Sequence, residues 1–243
     1  MSLRVAVVLP AYNEAGNLAP LVAELFAVLS QWPGESRIIV VNDGSRDATA
    51  DELAELQSQY AMLDVVTHPV NRGLAAALKT GIARACETDA DVAVFLDSDL
   101  SHRPSDMPAL LGAITGGADV ALGSRFVPGG GMLGVPMWRV LISRAGNALG
   151  RLVLGVPFRD LTTGYRAIRR EVLQRVQLGE DGFTIQLESV IRAYAAGYRV
   201  VDVPIVLGTR RHGESHMNYS TQLFADYWRL LMSCRQWLRE GHR

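Results

Sequence analysis

The chain has only two cysteines in 243 residues, Cys86 and Cys234, and neither sits in a C-x-x-C pair. That excludes a disulfide framework and a structural zinc site, and it fits a reducing compartment. Lysine is scarcer still: Lys79 stands alone and every other cation is arginine. Arginine forks suit phosphate and carboxylate oxygens, although genomic base composition explains the bias as well. Excess charge of either sign is missing, and a formal net charge of -1 leaves no basic field for nucleic acid. The N-terminus lacks a signal-peptide cleavage pattern. No segment is both long and apolar enough for a membrane span, which takes about 20 residues. Two nucleotide-binding signatures are absent too. Leu78 precedes Lys79-Thr80 where a P-loop requires glycine, and no G-x-G-x-x-G follows the first apolar run.

With 49% hydrophobic and 20% charged residues, the chain has the makings of a soluble α/β domain with a sizeable core. Short apolar runs alternate with helical spacings through the first half. Strands are expected at Val5 to Leu9, Ile38 to Val41, Leu63 to Thr67, Val92 to Leu96 and Val120 to Gly123. Helices are expected at Asn17 to Leu29, after an Asp47 cap, at Leu74 to Cys86 and at Ser105 to Ile114. This repetition predicts a mostly parallel sheet with helices on both faces. In the second half, Pro128 to Gly134 reads as a mobile Gly-rich segment, Trp138 to Leu154 and Leu187 to Ala196 as helices, and Arg199 to Val203 as a strand. Arg210 to Ser220 reads as a polar loop. Thr221 to Leu238 reads as an amphipathic helix with Leu223, Tyr227, Leu231, Cys234 and Leu238 on one stripe.

In an open parallel sheet, ligands bind at the carboxyl ends of the strands. Four polar clusters fall there: Pro10-Ala11-Tyr12-Asn13-Glu14, Asn42-Asp43-Gly44-Ser45, Asp97-Ser98-Asp99-Leu100-Ser101-His102, and Ser124-Arg125. Loops are polar anyway, which explains one such cluster easily and four poorly. Asp97 and Asp99 end an apolar strand and repel each other unless a cation or proton intervenes. Carboxylate oxygens suit Mg²⁺ or Mn²⁺ shared with substrate phosphates.

Taken together, these residues resemble glycosyltransferase family 2 with its GT-A fold, and more narrowly its polyprenyl-phosphate (dolichol-phosphate) mannose synthase branch. Further markers are Asn71-Arg72-Gly73-Leu74, Gly123-Ser124-Arg125-Phe126, Arg139 with Ser143 and Asn147, Asp160-Leu161-Thr162-Thr163-Gly164-Tyr165-Arg166, and Gly213-Glu214-Ser215. The resemblance implies a single catalytic domain over residues 1–243. Residues 1–124 would form the Rossmann-like nucleotide-sugar half, 125–218 the acceptor half and 219–243 the C-terminal helix. It implies inverting transfer of a sugar, mannose from GDP-mannose first, to a polyprenyl phosphate. By the same resemblance, Pro10, Tyr12, Glu14, Val41 and Asp43 hold the nucleoside. Asp97 and Asp99 hold the metal and diphosphate, with Ser98 and Ser101 beside them. Arg210 lies over the diphosphate, and Arg125, Arg139 and Ser143 receive the lipid phosphate. The chain departs from the family at Asn42, often an aspartate, and at His216, usually a lysine. A histidine is only partly charged at neutral pH.

Several alternatives stay open from the sequence. The donor is GDP-mannose, UDP-glucose or another nucleotide sugar, and the acceptor a lipid phosphate or a saccharide. A non-catalytic nucleotide-sugar sensor is a second class, invited only by His216. Asp160 is either a general base or a structural turn residue. His102 is either a ligand or a hydrogen-bonded loop histidine, and Glu188 is either catalytic or paired with an arginine. His68 and His242 read as surface residues. The C-terminal helix, with Trp228, Trp237, Arg229, Arg235 and Arg239, either packs on the domain or lies in a membrane interface. Many relatives carry transmembrane helices after the catalytic domain and this chain has none, so membrane contact is expected to be peripheral, at the cytoplasmic face. Oligomeric state is not legible.

Overall fold

The computed structural model describes residues 2–176, 178–179, 184–210 and 221–241, excepting the side chains of 184, 221–225 and 240–241. The first half follows the expected alternation. In chain order it runs β1 (Val5–Ala11), α1 (Leu18–Leu29), β2 (Ser36–Asn42), α2 (Thr49–Gln59), β3 (Leu63–Thr67), α3 (Leu74–Glu87), β4 (Val92–Phe95), α4 (Met107–Thr115) and β5 (Val120–Ser124). A single 3-10 turn, Pro104–Asp106, leads into α4. The second half adds β6 (Gly131–Met132), α5 (Met137–Leu154), β7 (Arg166–Arg169), α6 (Arg170–Arg175), α7 (Thr184–Ala195), β8 (Val200–Pro204), β9 (Val206–Leu207) and α8 (Thr221–Gly241).

Seven strands form one sheet in the order β3-β2-β1-β4-β7-β5-β8. Every pairing is parallel except those of β7, which runs antiparallel between β4 and β5. The sheet is buried on both faces, so its strands are nearly continuous apolar runs. Along β1 the side chains alternate. Ala6 and Val8 join a core layer with Val41, Leu78, Phe95, Leu122 and Ile191, whereas Val5, Val7 and Leu9 join one with Leu21, Leu25, Val40, Leu110 and Ile114.

The structure changes three sequence expectations. The strand β7 and the helix α6 had no signal, because β7 is four residues with arginine at both ends. Part of the Gly-rich 128–134 segment is strand: β6 pairs with β9 and fastens it beside the end of β8. Asp47 does not occupy the cap position of α2, which falls to Ala48. Its Oδ1 instead accepts the Thr49 N–H at 3.1 Å and the Thr49 hydroxyl at 2.5 Å, while Oδ2 accepts the Ala15 N–H at 3.2 Å. Asp47 therefore ties the start of α2 to the loop after β1. The stripe of α8 is core: Leu230, Leu231, Cys234 and Leu238 are buried, and the helix packs on α7 and α5.

Close approach of α3 to the sheet rests on Gly81, where an added Cβ would lie 2.3 Å from Val8 Cγ1. In an open helix, Gly→Ala is worth about 1 kcal/mol of added stability. Here Gly81→Ala is expected to destabilise by about 1–3 kcal/mol through overpacking. The same change in a Val8→Ala background should cost less than it does alone. Denaturant unfolding of the two singles and the double checks this, and additive losses would count against a direct Gly81–Val8 contact.

Candidate functional site

The expected rim is present. β1, β2, β4 and β5 end on one edge of the sheet, and antiparallel β7 begins there, with Arg166 opposite both Phe95 and Leu122. Ser98 Oγ donates to Pro10 O at 2.8 Å, which fastens the loop after β4 to the end of β1. Pro10 and Tyr12 are half-buried at that end. Val41 is fully buried, and its side chain belongs to the core layer under α3, so it faces no cleft.

The acidic residues of the rim differ in how they are satisfied. Asp43 is buried, and both its oxygens are engaged. Oδ1 lies 2.6 Å from His68 Nδ1 and accepts the Arg72 N–H at 3.0 Å, and Oδ2 accepts the Gly73 N–H at 2.7 Å. His68 Nε2 lies 2.9 Å from Thr80 Oγ1. The expected surface position of His68 is therefore corrected, because it is 6% exposed and links Asp43 to α3. Asp43 thus organises the 71–73 turn beside the end of β2. His68 follows β3 directly, so the strand-end rule would have found it had it been applied to that strand.

Glu14 is buried beside the start of α1. Its Oε2 accepts from Asn17 Nδ2 at 2.7 Å and its Oε1 from Arg210 Nη2 at 2.8 Å. Burial pushes its carboxyl above the usual range, against the Asn17 and Arg210 contacts. Asp99 Oδ1 accepts the Ser101 hydroxyl at 2.6 Å and the Ser101 N–H at 3.0 Å, and Oδ2 accepts from Arg210 Nε at 3.2 Å. Burial pushes Asp99 up, but Ser101, Arg210 and His102 outweigh it and hold the carboxyl below its ordinary value. The turn at this point carries Leu100 at φ 63, a left-handed conformation that an L side chain rarely adopts.

Asp97 stands apart. Its side chain is 42% open to the cleft, and among the described residues nothing donates a hydrogen bond to it. Being set deep in the cleft raises its carboxyl above the ordinary range, and Asp99 adds to that, against the pull of His102, Arg166 and Arg210. His102 Nδ1 lies 3.6 Å from Asp97 Oδ2 and, buried, makes no hydrogen bond of its own among the described residues. Its ring instead lies against Tyr165. Beneath them Arg166 is buried. Its guanidinium donates from Nη1 to Gln186 O at 2.7 Å and lies 5.3 Å from the Phe95 ring centre. Burial lowers its pKa to about 10, so it stays charged at neutral pH. Arg166 closes the Asp160–Arg166 marker of the resemblance, but nothing in the sequence assigned it this buried place beneath Asp97.

After β5, Arg125 is held by a fork. Its Nε and Nη2 donate to Asp160 Oδ2 and Oδ1 at 2.7 Å each, and its N–H donates to Oδ2 at 3.0 Å. Asp160 is fully buried, which favours its structural role over that of a general base. Arg125 Nη2 also donates to Thr162 Oγ1 at 2.9 Å, Thr162 Oγ1 accepts from Asn147 Nδ2 at 3.2 Å, and Asn147 Nδ2 reaches Ser143 O at 2.9 Å. Arg125, Ser143 and Asn147 are thereby joined. Arg139, one turn before Ser143 on α5, stacks its guanidinium 5.2 Å from the Trp138 ring centre. Glu188 is fully buried and paired with Arg192 at 2.7 Å, the pairing reading of that residue. His216, Glu214, Ser215 and His242 lie outside the described residues.

Comparison with known proteins agrees with this arrangement. The pattern described as Glycosyl transferase family 2 matches residues 6–177. The chain is 38% identical to the polyprenol monophosphomannose synthase of Mycolicibacterium smegmatis over 223 residues, 89% of this chain and 82% of that relative. It is 35% identical to the undecaprenyl-phosphate mannosyltransferase of Micrococcus luteus, covering 89% and 88%. Against the dolichol-phosphate mannosyltransferase of Pyrococcus furiosus it is also 35% identical, spanning 66% of that longer relative. Glucosyl-3-phosphoglycerate synthase from Mycobacterium tuberculosis, solved in complex with phosphoglyceric acid, has the same fold, with a TM-score of 0.68 at 24% identity over 96% of this chain and 80% of that one.

The Arg125–Asp160 fork generates a stability test. Breaking a buried pair by removing one partner costs about 3–5 kcal/mol. Asp160→Asn and Arg125→Gln are each expected to destabilise, with the double variant little worse than either single, as urea unfolding will read. An Asp160→Asn enzyme of unchanged stability and abolished turnover would instead favour a general base.

Proposed function

The chain belongs to glycosyl transferase family 2, and on that premise we propose that it is an inverting mannosyltransferase moving mannose from GDP-mannose to a polyprenyl phosphate. The observation that supports this reading is a carboxylate lacking a hydrogen-bond donor among the described residues, Asp97 after β4, beside a guanidinium fork, Arg125 after β5, that is tied through Thr162 and Asn147 to the helix carrying Arg139 and Ser143. β4 and β5 are two strand spacings apart, on the order of 10 Å. That is room for a sugar between a diphosphate and an incoming phosphate.

Among the described residues no group of three or more His, Cys, Asp and Glu side chains could hold a metal alone. Two carboxylates with substrate phosphate oxygens are the donor set that Mg²⁺ or Mn²⁺ takes. Asp97 and Asp99 would hold the ion, which when bound supplies Lewis-acid neutralisation of the leaving diphosphate. The protein's own groups do the rest. Arg210, spanning Glu14 and Asp99, is placed to face diphosphate oxygens. Arg166 supports Asp97 from below and limits its repulsion with Asp99.

A phosphate monoester acceptor is already anionic near pH 7, with a second pKa of about 6. It needs aiming rather than deprotonation, and guanidinium forks aim phosphates well. Arg125 and Arg139 do this, with Asp160 and Thr162 fixing the Arg125 fork. Attack from the face opposite the diphosphate inverts the anomeric carbon. A polyprenyl acceptor resides in a bilayer, so the reading includes peripheral contact with the cytoplasmic face of a membrane.

The reading is tested by nucleotide release from GDP-mannose and UDP-glucose with a short-chain polyprenyl phosphate. Release from GDP-mannose that needs both Mn²⁺ or Mg²⁺ and the acceptor is expected, abolished by chelator. Asp99→Asn should lower turnover by roughly 10²–10³-fold, the scale of losing one charge-stabilising contact. No turnover with any donor would sink the enzyme reading, and preference for UDP-glucose would replace the donor. Arg139→Ala should impair lipid-phosphate acceptors alone, and an equal loss with saccharide acceptors would count against the acceptor.

A further inference from the structure

Helix α5 has the wrong outside for a helix in water. At 100° per residue its buried residues, Asn147, Gly150 and Leu154, share one side, which also carries Arg139 and Ser143. The opposite side carries Trp138, Leu141, Leu149 and Leu152, which are 51%, 58%, 44% and 81% exposed. Met137, 71% exposed, extends the strip at one end. Most of the exposed large hydrophobics among the described residues fall between Leu133 and Leu152. Apolar strips this concentrated mark interaction surfaces. The strip is also free of acids. No Asp or Glu occurs from Arg125 to Leu154, while Arg144 and Arg151 flank the apolar side and Arg144 is exposed. A tryptophan at one end and arginines along the edge are the dress of a helix lying flat in a bilayer interface.

We propose that the outer face of α5, rather than α8, is the surface by which this protein docks on an anionic lipid bilayer. Of the described side chains of α8, Leu230, Leu231, Cys234 and Leu238 are spent on the core, while Trp228 is exposed. α5 carries the acceptor-side residues Arg139 and Ser143 on its inner side, so docking its outer side brings the acceptor site within about one helix diameter, 10–12 Å, of the lipid surface. The proposal deepens the polyprenyl-phosphate reading and rests on it for the purpose of docking, but the contact itself is measurable with no acceptor present.

The test is flotation of the full chain with vesicles of phosphatidylcholine alone and of phosphatidylcholine with phosphatidylglycerol. The expected result is binding that strengthens with phosphatidylglycerol. Leu141→Glu with Leu152→Glu, both solvent-exposed and outside the site, should leave the melting temperature unchanged and weaken binding at least about tenfold. The same double variant should keep its rate on a short water-soluble polyprenyl phosphate and lose about tenfold on a long-chain acceptor embedded in vesicles. Flotation of the double variant equal to that of the parent overturns the proposal, as does absence of flotation. A concentration-dependent dimer that the same substitutions dissolve also overturns it, by assigning the strip to a second copy. Failure of sugar transfer with intact flotation would overturn the functional reading and leave the docking face standing.

Discussion

Everything at the working edge of this molecule follows from the expense of burying carboxylates. Glu14, Asp43 and Asp160 are buried, and Asp97 and Asp99 partly so, at or near strand ends of a sheet covered on both faces. A buried charge persists only when paired or hydrogen-bonded. Each carboxylate has a different answer. Asp43 takes two backbone N–H groups and a histidine, Asp160 takes an arginine fork, and Glu14 and Asp99 share Arg210. Asp97 alone lacks a donor among the described residues and has the nearby charge of Arg166 beneath it. Among the described residues, Asp97 is the carboxylate of the rim left without a donor, the place the proposed function gives to a cation.

The same accounting assigns roles on the acceptor side. A general base needs a reachable oxygen with a free lone pair. Asp160 is sealed, and its oxygens are taken by Arg125 and its N–H. What Asp160 supplies is a guanidinium held in one orientation, tied onward through Thr162 and Asn147 to α5. If the proposed phosphate acceptor is the substrate, positioning through a rigid chain of hydrogen bonds is the contribution it requires, because it brings its own negative charge.

Much of this was legible in the sequence, and the gaps have physical causes. The β-α alternation was readable because a doubly covered parallel sheet demands continuous apolar runs, and the strand-end rule then located Glu14, Asp43, Asp97, Asp99 and Arg125. β7 was not readable, since an antiparallel insertion of four residues flanked by arginines has no apolar run to announce it. Arg166 was visible as the end of the Asp160–Arg166 marker, but its place on a strand under Asp97 was not. His68 was missed for a different reason: a histidine after a strand reads as solvent-facing until Asp43 and Thr80 are seen to enclose it. For α8 the sequence left packing and membrane contact both open. Amphipathicity identifies an apolar side but not what covers it, and the apolar side of α8 is covered by α7 and α5.

α5 shows why that last distinction matters. Its sequence is apolar around most of its circumference, so periodicity alone cannot say which side is inside. Tertiary contact decides it: Asn147 reaches Leu161 and Thr162 inward, and Gly150 lets Leu161 and Tyr227 approach so closely that an added Cβ would sit 2.6 and 2.7 Å from them. That fixes the helix in rotation. Once it is fixed, Arg139 and Ser143 must face the cleft, and Trp138, Leu141, Leu149 and Leu152 must face away from it. One rotational constraint, set by a glycine and an asparagine, therefore sets both the side that carries Arg139 and Ser143 and the apolar outer side. A change that turned the helix by even one residue, 100°, would disturb both together.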